Sequence, residues 1–407
     1  MNEDVKKIKI EEYNYTLPDE FIARYPLENR EDSKLLVAGE SNFSVSQYKN
    51  LDNYIPKGSR LIFNETKVVQ ARLLFPKNET THIEIFCLEP ADQLDIQQAM
   101  AKKECIEYIC LVGGARKWKA QFLEIKSNSG LHLKAEKIEN LGASFRIRFS
   151  WDQDLCFSEI LEEVGKIPLP PYLNRAAEAE DLERYQTVFA KNKGSVAAPT
   201  ASLHFTESLM DRLKANGCEL EKLSLHVGAG TFKPVNADEI EDHEMHAEEF
   251  LVNKKLVIRL LKSPNKNTIC VGTTSIRALE SIYWLGVLAY NSELEVSKTP
   301  FIPQWMAYEN ESTPSLKTSL EALLEFMDRE NMEEIMARTA IIIAPGYEFK
   351  IANALITNFH QPKSTLLLLV AAIMGPNWKK MYDFARDNNF RFLSYGDGCL
   401  LLNSHYA

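Results

Sequence analysis

Two histidines lie three residues apart in the acidic segment DHEMHAE, residues 242–248. Histidine titrates near neutral pH and nearby carboxylates can orient it, so His243, His246 and Glu248 are candidates for proton transfer. On a helix the two rings would share one face and could hold a metal ion, but zinc hydrolases space their histidines four residues apart around a glutamate. An exposed acidic helix without a chemical role is the third interpretation.

A second candidate site is the segment GSVAAPTASLHFT, residues 194–206. Ser195, Pro199 and Thr200 favour turns and helix caps, while the alanines between them leave room for a ligand near the backbone. His204 follows directly, and a helical pattern begins after the segment. A loop that leads into a helix N-terminus suits an anion or a polar ligand. The alternative is a tight connection with a structural histidine.

Four strand-like runs in the second half of the chain end in glycine, threonine, serine or histidine. They are LSLHV before residues 228–231, ICVG before 273–275, IIIAPGY at 341–347 and ALITNFH at 354–360. Because helices separate these runs, we predict an open α/β sheet whose ligand lies beyond the strand ends. The pair Gly228 and Gly230 lacks the third glycine of a dinucleotide fingerprint.

Composition limits the class of protein. The chain has 407 residues, of which 45% are hydrophobic, so it can bury a large core in two or more domains. It has neither a secretory segment at residues 1–10 nor an apolar run of membrane-spanning length, so we expect a cytoplasmic protein with no membrane partner. Its seven cysteines show no C-x-x-C spacing, which argues against disulfides and a structural zinc site.

A basic cluster with one aromatic residue consists of Arg116, Lys117, Trp118 and Lys119. Cations that track phosphates around a ring that stacks on bases would form an RNA-binding surface. A solvated strand edge protected by lysines is the alternative. The net charge of −10 argues only against RNA binding by the whole surface.

Hydrophobic patterning divides the chain. Residues 68–164 contain short alternating runs separated by polar turns, which predict a small antiparallel barrel or sandwich. The flanking regions, 1–67 and 165–407, have mixed α/β patterns. The proline-rich motif KIPLPPY at 166–172 should be extended, either between domains or along a cleft.

Longer blocks of sequence carry a family resemblance. In order along the chain they are YTLPDEFIARYPLENREDSKLLV, IFNETKVVQARL, KIPLPPYLNR, ERYQTVFA, GSVAAPTASLHFT, LHVGAGTFKPV, HEMHAE, VGTTSIRALES, PGYEFK, LITNFHQPKSTLLLLV and FRFLSYGD. The chain resembles the S-adenosylmethionine:tRNA ribosyltransferase-isomerases of queuosine biosynthesis over most of its length. The resemblance weakens in the strand-rich region and at residues 285–338.

The resemblance implies a fold and a reaction. The fold is a discontinuous α/β domain, 1–67 and 165–407, with an inserted antiparallel β-barrel domain, 68–164. The reaction transfers and isomerises the ribosyl group of S-adenosylmethionine onto 7-aminomethyl-7-deazaguanine at the wobble position of tRNA. It gives epoxyqueuosine and releases adenine and methionine. S-adenosylmethionine is then a co-substrate, no metal or other cofactor is needed, and we expect a monomer.

The resemblance also suggests residue roles. Proton transfer is expected of His243, His246, Glu248 and His204. Binding of the substrates is expected of Ser195, Pro199, Thr200, Tyr185, Gln186, His226, Gly228, Gly230, Thr231, Thr273, Thr274, Ser275, Arg277, Asn358 and His360. Indirect support of the site is the alternative for each single residue.

Four positions depart from the family pattern. Ser202 replaces glycine, Glu65 and Asn353 replace aspartate, and Gln361 replaces leucine. Residues 285–338 are also longer than expected, and SLKTSLEALLEFM within them predicts an additional amphipathic helix. These differences leave open a diverged paralogue that binds S-adenosylmethionine or RNA without this turnover.

Overall fold

Strands and helices alternate along most of the chain in a computed structural model that describes residues 3–39, 42–78, 81–91, 94–228, 235, 237–310 and 312–403. The strands are β1 Lys34–Ala38, β2 Phe43–Gln47, β3 Arg60–Asn64, β4 Thr66–Val68, β5 Arg72–Pro76, β6 His82–Pro90, β7 Cys105–Gly113, β8 Phe122–Lys126, β9 His132–Asn140, β10 Phe145–Trp151, β11 Gly165–Lys166, β12 Asn192–Ser195, β13 Glu219–His226, β14 Glu248–Asn253, β15 Thr268–Val271, β16 Phe301–Ile302, β17 Glu334–Thr339, β18 Ala354–Asn358 and β19 Gly398–Leu402. The α-helices are α1 Glu3–Lys6, α2 Ile96–Met100, α3 Phe157–Val164, α4 Asp181–Arg184, α5 Glu207–Ala215, α6 Lys254–Lys262, α7 Thr273–Tyr290, α8 Met306–Glu309, α9 Leu316–Arg329, α10 Thr365–Met374 and α11 Trp378–Asp387. The predicted α/β class is confirmed.

The larger sheet has the order β16-β17-β14-β13-β3-β15-β18-β19-β1-β2. Its four central strands, β13, β3, β15 and β18, are parallel to one another, so their carboxyl ends lie along one edge. Strands β14, β17 and β2 pair antiparallel towards the two ends of the sheet. Three of the four predicted strand runs therefore end at the same edge, where ligands bind in open α/β sheets.

Helices cover both faces of this sheet, and the side-chain alternation along the central strands shows why. Ile62 of β3 and Cys270 of β15 belong to the core that contains α7, α10 and α11. Their neighbours Phe63 and Val271 belong to the core that contains α5. Every residue of β3, β15 and β18 is buried. Continuous apolar runs of this kind are typical of parallel strands covered on both faces.

The second sheet has the order β11-β5-β6-β7-β10-β9-β8 and is antiparallel throughout. It comes from one continuous part of the chain and encloses a hydrophobic cluster of its own. The predicted antiparallel strands are confirmed. The described strands do not form a closed barrel, because the ladder ends at β8 on one side and at the two-residue strand β11 on the other.

Two local predictions are wrong. The run IIIAPGY is not a strand. It is mostly buried irregular chain after β17. The backbone N–H of Ile342 in the run donates to the Gln304 carbonyl, and that of Ala340, just before the run, donates to the Ile302 carbonyl. The segment with His243 and His246 is not a helix either. A short 3-10 helix ends at Asp242, and β14 begins at Glu248 because this part of the chain pairs with two neighbouring strands.

Two helix predictions are confirmed. The Thr206 side chain caps α5 by accepting a hydrogen bond from the Leu209 N–H, and Gly217 follows the helix at φ +77°. The additional helix is α9, whose buried face belongs to the core that contains α7. The two helices approach closely at Gly286, where a Cβ would come within 2.1 Å of the Ser319 hydroxyl. No helix in the described part of the chain combines the length and apolar character that crossing a membrane needs.

Candidate active site at the carboxyl ends of the central strands

A cleft of about 750 Å³, measured to its open mouth, lies at the carboxyl ends of β15 and β18. The cleft is lined by Tyr172, Ala197, Ala198, Pro199, Thr200, Ala201, Val227, Gly272, Thr273, Thr274, Thr357, Asn358, Phe359, His360, Gln361, Ser364, Leu366, Leu393 and Ser394. Six predicted substrate-binding residues are among them: Pro199, Thr200, Thr273, Thr274, Asn358 and His360.

One wall of the cleft is the loop at residues 197–201. Its alanines bring the backbone close to the cavity, and Pro199 precedes a short 3-10 helix over Thr200–His204. Ser195 supports this loop because its hydroxyl donates to the Ala197 carbonyl and accepts from the Val227 N–H. The segment is therefore a wall of the cleft, while Ser195 itself contacts the loop backbone.

The N-terminus of α7 forms a second wall. Gly272 precedes the helix at φ +95°, a conformation that favours glycine, and no side chain caps the first turn. The N-terminal N–H groups of a helix have no intrahelical acceptor and carry partial positive charge. The Thr274 hydroxyl oxygen is buried there without a hydrogen-bond partner in the described part of the chain. This wall is suited to a carboxylate or another oxyanion.

Asn358 extends from β18 into the cleft and links it to His204. The Asn358 Nδ2 donates to the Asp397 carbonyl at 3.4 Å and lies 3.3 Å from the His204 Nε2, so that ring nitrogen accepts. The Asn358 Oδ1 is buried and has no partner among the described atoms. Burial, together with the positive charge of Arg391, lowers the pKa of His204 to about 3. His204 is therefore a neutral ring that orients Asn358.

His360 is a neutral polar group in the same cleft. Its Nε2 lies 2.9 Å from the Thr357 hydroxyl, and the Tyr15 hydroxyl donates to its backbone carbonyl. Burial lowers the pKa of His360 to about 3. At neutral pH the ring can exchange hydrogen bonds with a ligand, but it carries no charge.

Two other predicted residues, Arg277 and Glu248, form a buried ion pair. Arg277 donates to the Glu248 carboxylate through Nη1 and to the Ile341 carbonyl through Nε, and both charged side chains are buried. Neither residue lines the cleft. The pair connects α7 with β14. Ser275, at the start of the same helix, donates to the Val271 carbonyl and is likewise turned to the backbone.

Three further predicted residues lie in packing contacts. Tyr185 is fully buried in a separate hydrophobic cluster. The Gln186 amide bonds both the N–H and the carbonyl of Val68. His226 packs against Gly194, where a Cβ would lie 3.0 Å from the His226 Nδ1. Burial lowers the pKa of His226 to about 4, and its Nδ1 has no partner among the described atoms.

His243 and His246 do not line the cleft. The His243 carbonyl accepts from the Gln304 amide, and burial followed by the His246 charge lowers the pKa of His243. Their proton-transfer role stays a prediction. Gly228 follows Val227 of the cleft wall, whereas Gly230 and Thr231 lie outside the described residues. In the part of the chain that the structure describes, no group of three or more His, Cys, Asp or Glu side chains is arranged to hold a metal ion.

The basic cluster has one feature that contradicts the prediction. Trp118 is only 3% exposed and packs in the core of the second sheet, with the Lys137 ammonium 4.9 Å from its ring centre. A base cannot stack on this ring, so that part of the prediction is wrong. Arg116, Lys117 and Lys119 are exposed, and their contact with RNA stays a prediction.

Several cleft residues are not among the predicted site residues. The Tyr172 hydroxyl lies 2.6 Å from the Ser394 hydroxyl, and the two side chains close one side of the cleft. Tyr172 belongs to the proline-rich motif that was expected along a cleft. Ser364 caps α10 by accepting from the Leu367 N–H, a signal visible in the sequence PKSTLLLLV. Ser394 lies in a family block but carries no local motif.

The fold and cleft together define an α/β protein with a candidate site at the carboxyl edge of the parallel central strands of a mixed sheet. The family model described as queuosine biosynthesis protein matches residues 10–401. A relative from Halothermothrix orenii, called S-adenosylmethionine:tRNA ribosyltransferase-isomerase, is 35% identical over 401 residues, which cover 97% of this chain and 100% of the relative. A relative of the same name from Azoarcus sp. is 35% identical over 410 residues, with coverage of 98% and 99%.

Among solved structures, S-adenosylmethionine tRNA ribosyltransferase from Thermotoga maritima is 26% identical, with coverage of 96% of this chain and 100% of that chain and a TM-score of 0.45. This chain belongs to the queuosine biosynthesis protein family and is a transferase and isomerase enzyme. The family resemblance predicted from the sequence blocks is confirmed.

Proposed function

We propose that the cleft binds S-adenosylmethionine and that the enzyme transfers its ribosyl group to 7-aminomethyl-7-deazaguanine in tRNA. The products are epoxyqueuosine in tRNA, adenine and methionine. The names of the two relatives support S-adenosylmethionine and tRNA as the substrates. The sulfonium activates the substrate, because its positive charge acidifies the neighbouring carbon and makes methionine a good leaving group. The protein's task is then to position two substrates, move protons and stabilise developing charge.

The observation that supports this proposal most is a pair of buried, unpartnered oxygens that belong to two residues lining the same cleft. The Thr274 Oγ1 and the Asn358 Oδ1 have no hydrogen-bond partner among the described atoms. Buried polar atoms are rarely left unpaired, since each costs about 1–3 kcal/mol. A ligand with polar groups would satisfy both.

The charges of the cleft suggest how S-adenosylmethionine would lie. The N-terminus of α7 with Thr274 would receive the methionine carboxylate. Asn358 and His360 would then contact the nucleoside, where neutral groups avoid repelling the sulfonium. His243 and His246 stay proposed proton-transfer residues, and they would have to act from outside the cleft lining.

The remaining expectations are part of the same proposal. We infer that residues 1–67 and 165–407 form one discontinuous domain, with residues 68–164 inserted as a barrel-like domain. The enzyme would act as a cytoplasmic monomer and would need no metal or redox cofactor.

The test is incubation of the pure protein with S-adenosylmethionine and an anticodon stem-loop that carries the aminomethyl base. We expect adenine and methionine to appear in equal amounts, together with an RNA product of higher mass. Binding of S-adenosylmethionine without adenine release would instead indicate a paralogue without this turnover. Activity that is lost with a chelator and restored by zinc would contradict the metal-free mechanism.

A further inference from the structure

A second pocket lies beside the cleft and contains two arginine side chains. We call it the arginine pocket; it is lined by Pro26, Leu27, Arg30, Ser33, Arg184, Leu203, His204, Ser394 and Tyr395. Ser394 lines both the arginine pocket and the cleft. His204 in the arginine pocket lies 3.3 Å from Asn358 in the cleft. The two pockets therefore share a wall formed by Ser394 and by the His204–Asn358 contact.

Both guanidinium groups are held by backbone carbonyls. Arg30 donates to the carbonyls of Gln186 at 2.8 Å, Leu203 at 3.2 Å and Glu183 at 3.0 Å. Arg184 donates to the carbonyls of Glu28 at 3.0 Å and Leu27. A guanidinium has five N–H groups. Each guanidinium therefore has N–H groups left to donate. The carbonyls fix both side chains in position without neutralising their charge.

The two charges have no paired carboxylate. In the described part of the chain, neither Arg30 nor Arg184 forms an ion pair within 4.0 Å, although many other arginines do. Burial and the charge of Arg184 both lower the pKa of Arg30, while the exposed Glu183 raises it. Two half-buried cations held close together are unfavourable unless an anion joins them.

We propose that the arginine pocket binds a backbone phosphate of the RNA strand next to the modified nucleotide. The inference rests on the proposed function, in which the cleft receives the target base. A base that enters such a site leaves its strand stack, and its neighbouring phosphates then lie close to the cleft mouth. Guanidinium groups match phosphate oxygens in charge and in planar hydrogen-bond geometry.

The first experiment uses Arg184→Gln, with Arg184→Lys as a matched variant that keeps the charge. Binding of the stem-loop is measured over a range of salt concentrations. We expect Arg184→Gln to bind about tenfold more weakly, because a charge-assisted contact is lost. Its plot of log affinity against log salt should flatten by about 0.7, the value for one single-stranded phosphate, whereas Arg184→Lys keeps the wild-type slope. Equal slopes in all three proteins would overturn the proposal.

The second experiment identifies the phosphate by comparing wild-type protein with Arg184→Gln. Stem-loops that carry one neutral methylphosphonate are tested at each position around the target nucleotide. Wild-type protein should lose about tenfold in affinity at one position, where Arg184→Gln should lose nothing more. If wild type loses no affinity at any position, or if the two losses add at every position, no RNA phosphate binds in the arginine pocket.

A third measurement separates this inference from the proposed function. The affinity for S-adenosylmethionine without RNA should be the same in wild type and Arg184→Gln. A large loss would show that the pocket holds the methionine carboxylate, which would contradict the phosphate assignment. If wild type binds the stem-loop with the predicted salt slope but releases no adenine, the proposed reaction fails while the phosphate site stands.

Discussion

At the scale of single residues, the hydroxyl of Thr274 offers a test of the proposed binding of S-adenosylmethionine in the cleft. Its Oγ1 is buried in the cleft without a protein partner, so Thr274→Val removes a hydrogen-bonding group with little change in shape. We expect the affinity for S-adenosylmethionine to fall about fivefold to tenfold, while the free energy of unfolding stays equal or rises slightly. Isothermal titration calorimetry and urea denaturation measure the two effects.

A matched control is Thr268→Val at the opposite end of β15. The Thr268 hydroxyl donates to the Lys266 carbonyl at 3.0 Å and lies outside the cleft. This variant should lose about 1 kcal/mol of stability but keep the wild-type affinity for S-adenosylmethionine. If the two variants behave alike in both measurements, Thr274 has no special contact with the ligand.

The buried histidines predict how stability depends on pH. His204 and His360 have pKa values of about 3 in the folded protein, well below the ordinary value of about 6.5. Below pH 6.5 the unfolded chain therefore binds protons that the folded chain does not. Their contribution to stability is complete above about pH 7 and is lost as the pH falls towards 3.

Each of these histidines should add up to about 1.4 kcal/mol per pH unit to the slope of the unfolding free energy. We therefore expect His360→Gln to have a shallower slope than wild type between pH 5 and 6.5, measured by urea denaturation. Identical slopes would mean that His360 takes up a proton in the folded protein as readily as in the unfolded chain.

The departures from the family pattern can now be located. The Asn353 side chain accepts from the Thr268 N–H at the amino end of β18, far along the strand from the cleft. Ser202 is fully buried in the 3-10 helix beside the cleft wall, and Gln361 lines the cleft itself. Of these three positions, Gln361 is therefore the one placed to alter substrate contacts directly.

At the scale of elements, the buried pair Arg277 and Glu248 holds α7 against β14. Removing one partner leaves the other charge buried, which typically costs about 3–5 kcal/mol. We expect Arg277→Met to lose about 3 kcal/mol of unfolding free energy. The double variant with Glu248→Leu should lose less than the sum of the single variants, because no unpaired charge remains.

Urea denaturation of the two single variants and the double variant provides this comparison. Additive losses would contradict the structural role of the ion pair. If Glu248 instead acts in proton transfer, turnover in a conservative Glu248→Gln variant should fall far more than stability does. Comparing the loss of turnover with the loss of stability in this variant thus distinguishes a structural role of Glu248 from a role in the reaction.

The elements that sequence patterns predicted well are those whose patterns reflect burial. Apolar runs for β3, β15 and β18 and alternating runs for the second sheet follow from the faces that each strand buries. The strand prediction for IIIAPGY was wrong because the run is mostly buried but does not pair in a sheet ladder. The helical interpretation of the acidic histidine segment was wrong because β14, at its end, pairs with two neighbouring strands. The three-residue spacing of the histidines carries no information about that pairing.

Part of the candidate site could be predicted because strand-like runs separated by helices indicate parallel strands. Loops after parallel strands had to meet at one edge, so Thr274, Asn358 and His360 could be placed together. Whether a side chain faces the cleft or its own backbone is decided by rotamers and tertiary contacts. Ser195, Ser275 and Trp118 therefore had the right residue type for a site but bury their polar atoms or rings in packing.

At the scale of the whole molecule, the net charge of −10 requires that RNA binding be local. Two groups of cations in the described part of the chain are relevant here: the unpaired arginines of the arginine pocket beside the cleft, and the exposed cluster of Arg116, Lys117 and Lys119 in the connection between β7 and β8 of the second sheet. An extended RNA could contact both if it crosses from one sheet to the other. The second sheet would then serve as an RNA platform for a reaction that takes place on the first.

This arrangement predicts the effect of reversing one charge in the connection between β7 and β8. Lys119→Glu should weaken stem-loop binding about tenfold and flatten the salt dependence by about one phosphate contact, without changing the affinity for S-adenosylmethionine. Lys126→Glu, at the exposed end of β8, is the matched control because it changes net charge by the same amount. If the two variants weaken binding equally, only overall charge matters and the cluster has no specific contact. If Lys119→Glu alone loses affinity, the second sheet holds the RNA whose modified base enters the cleft.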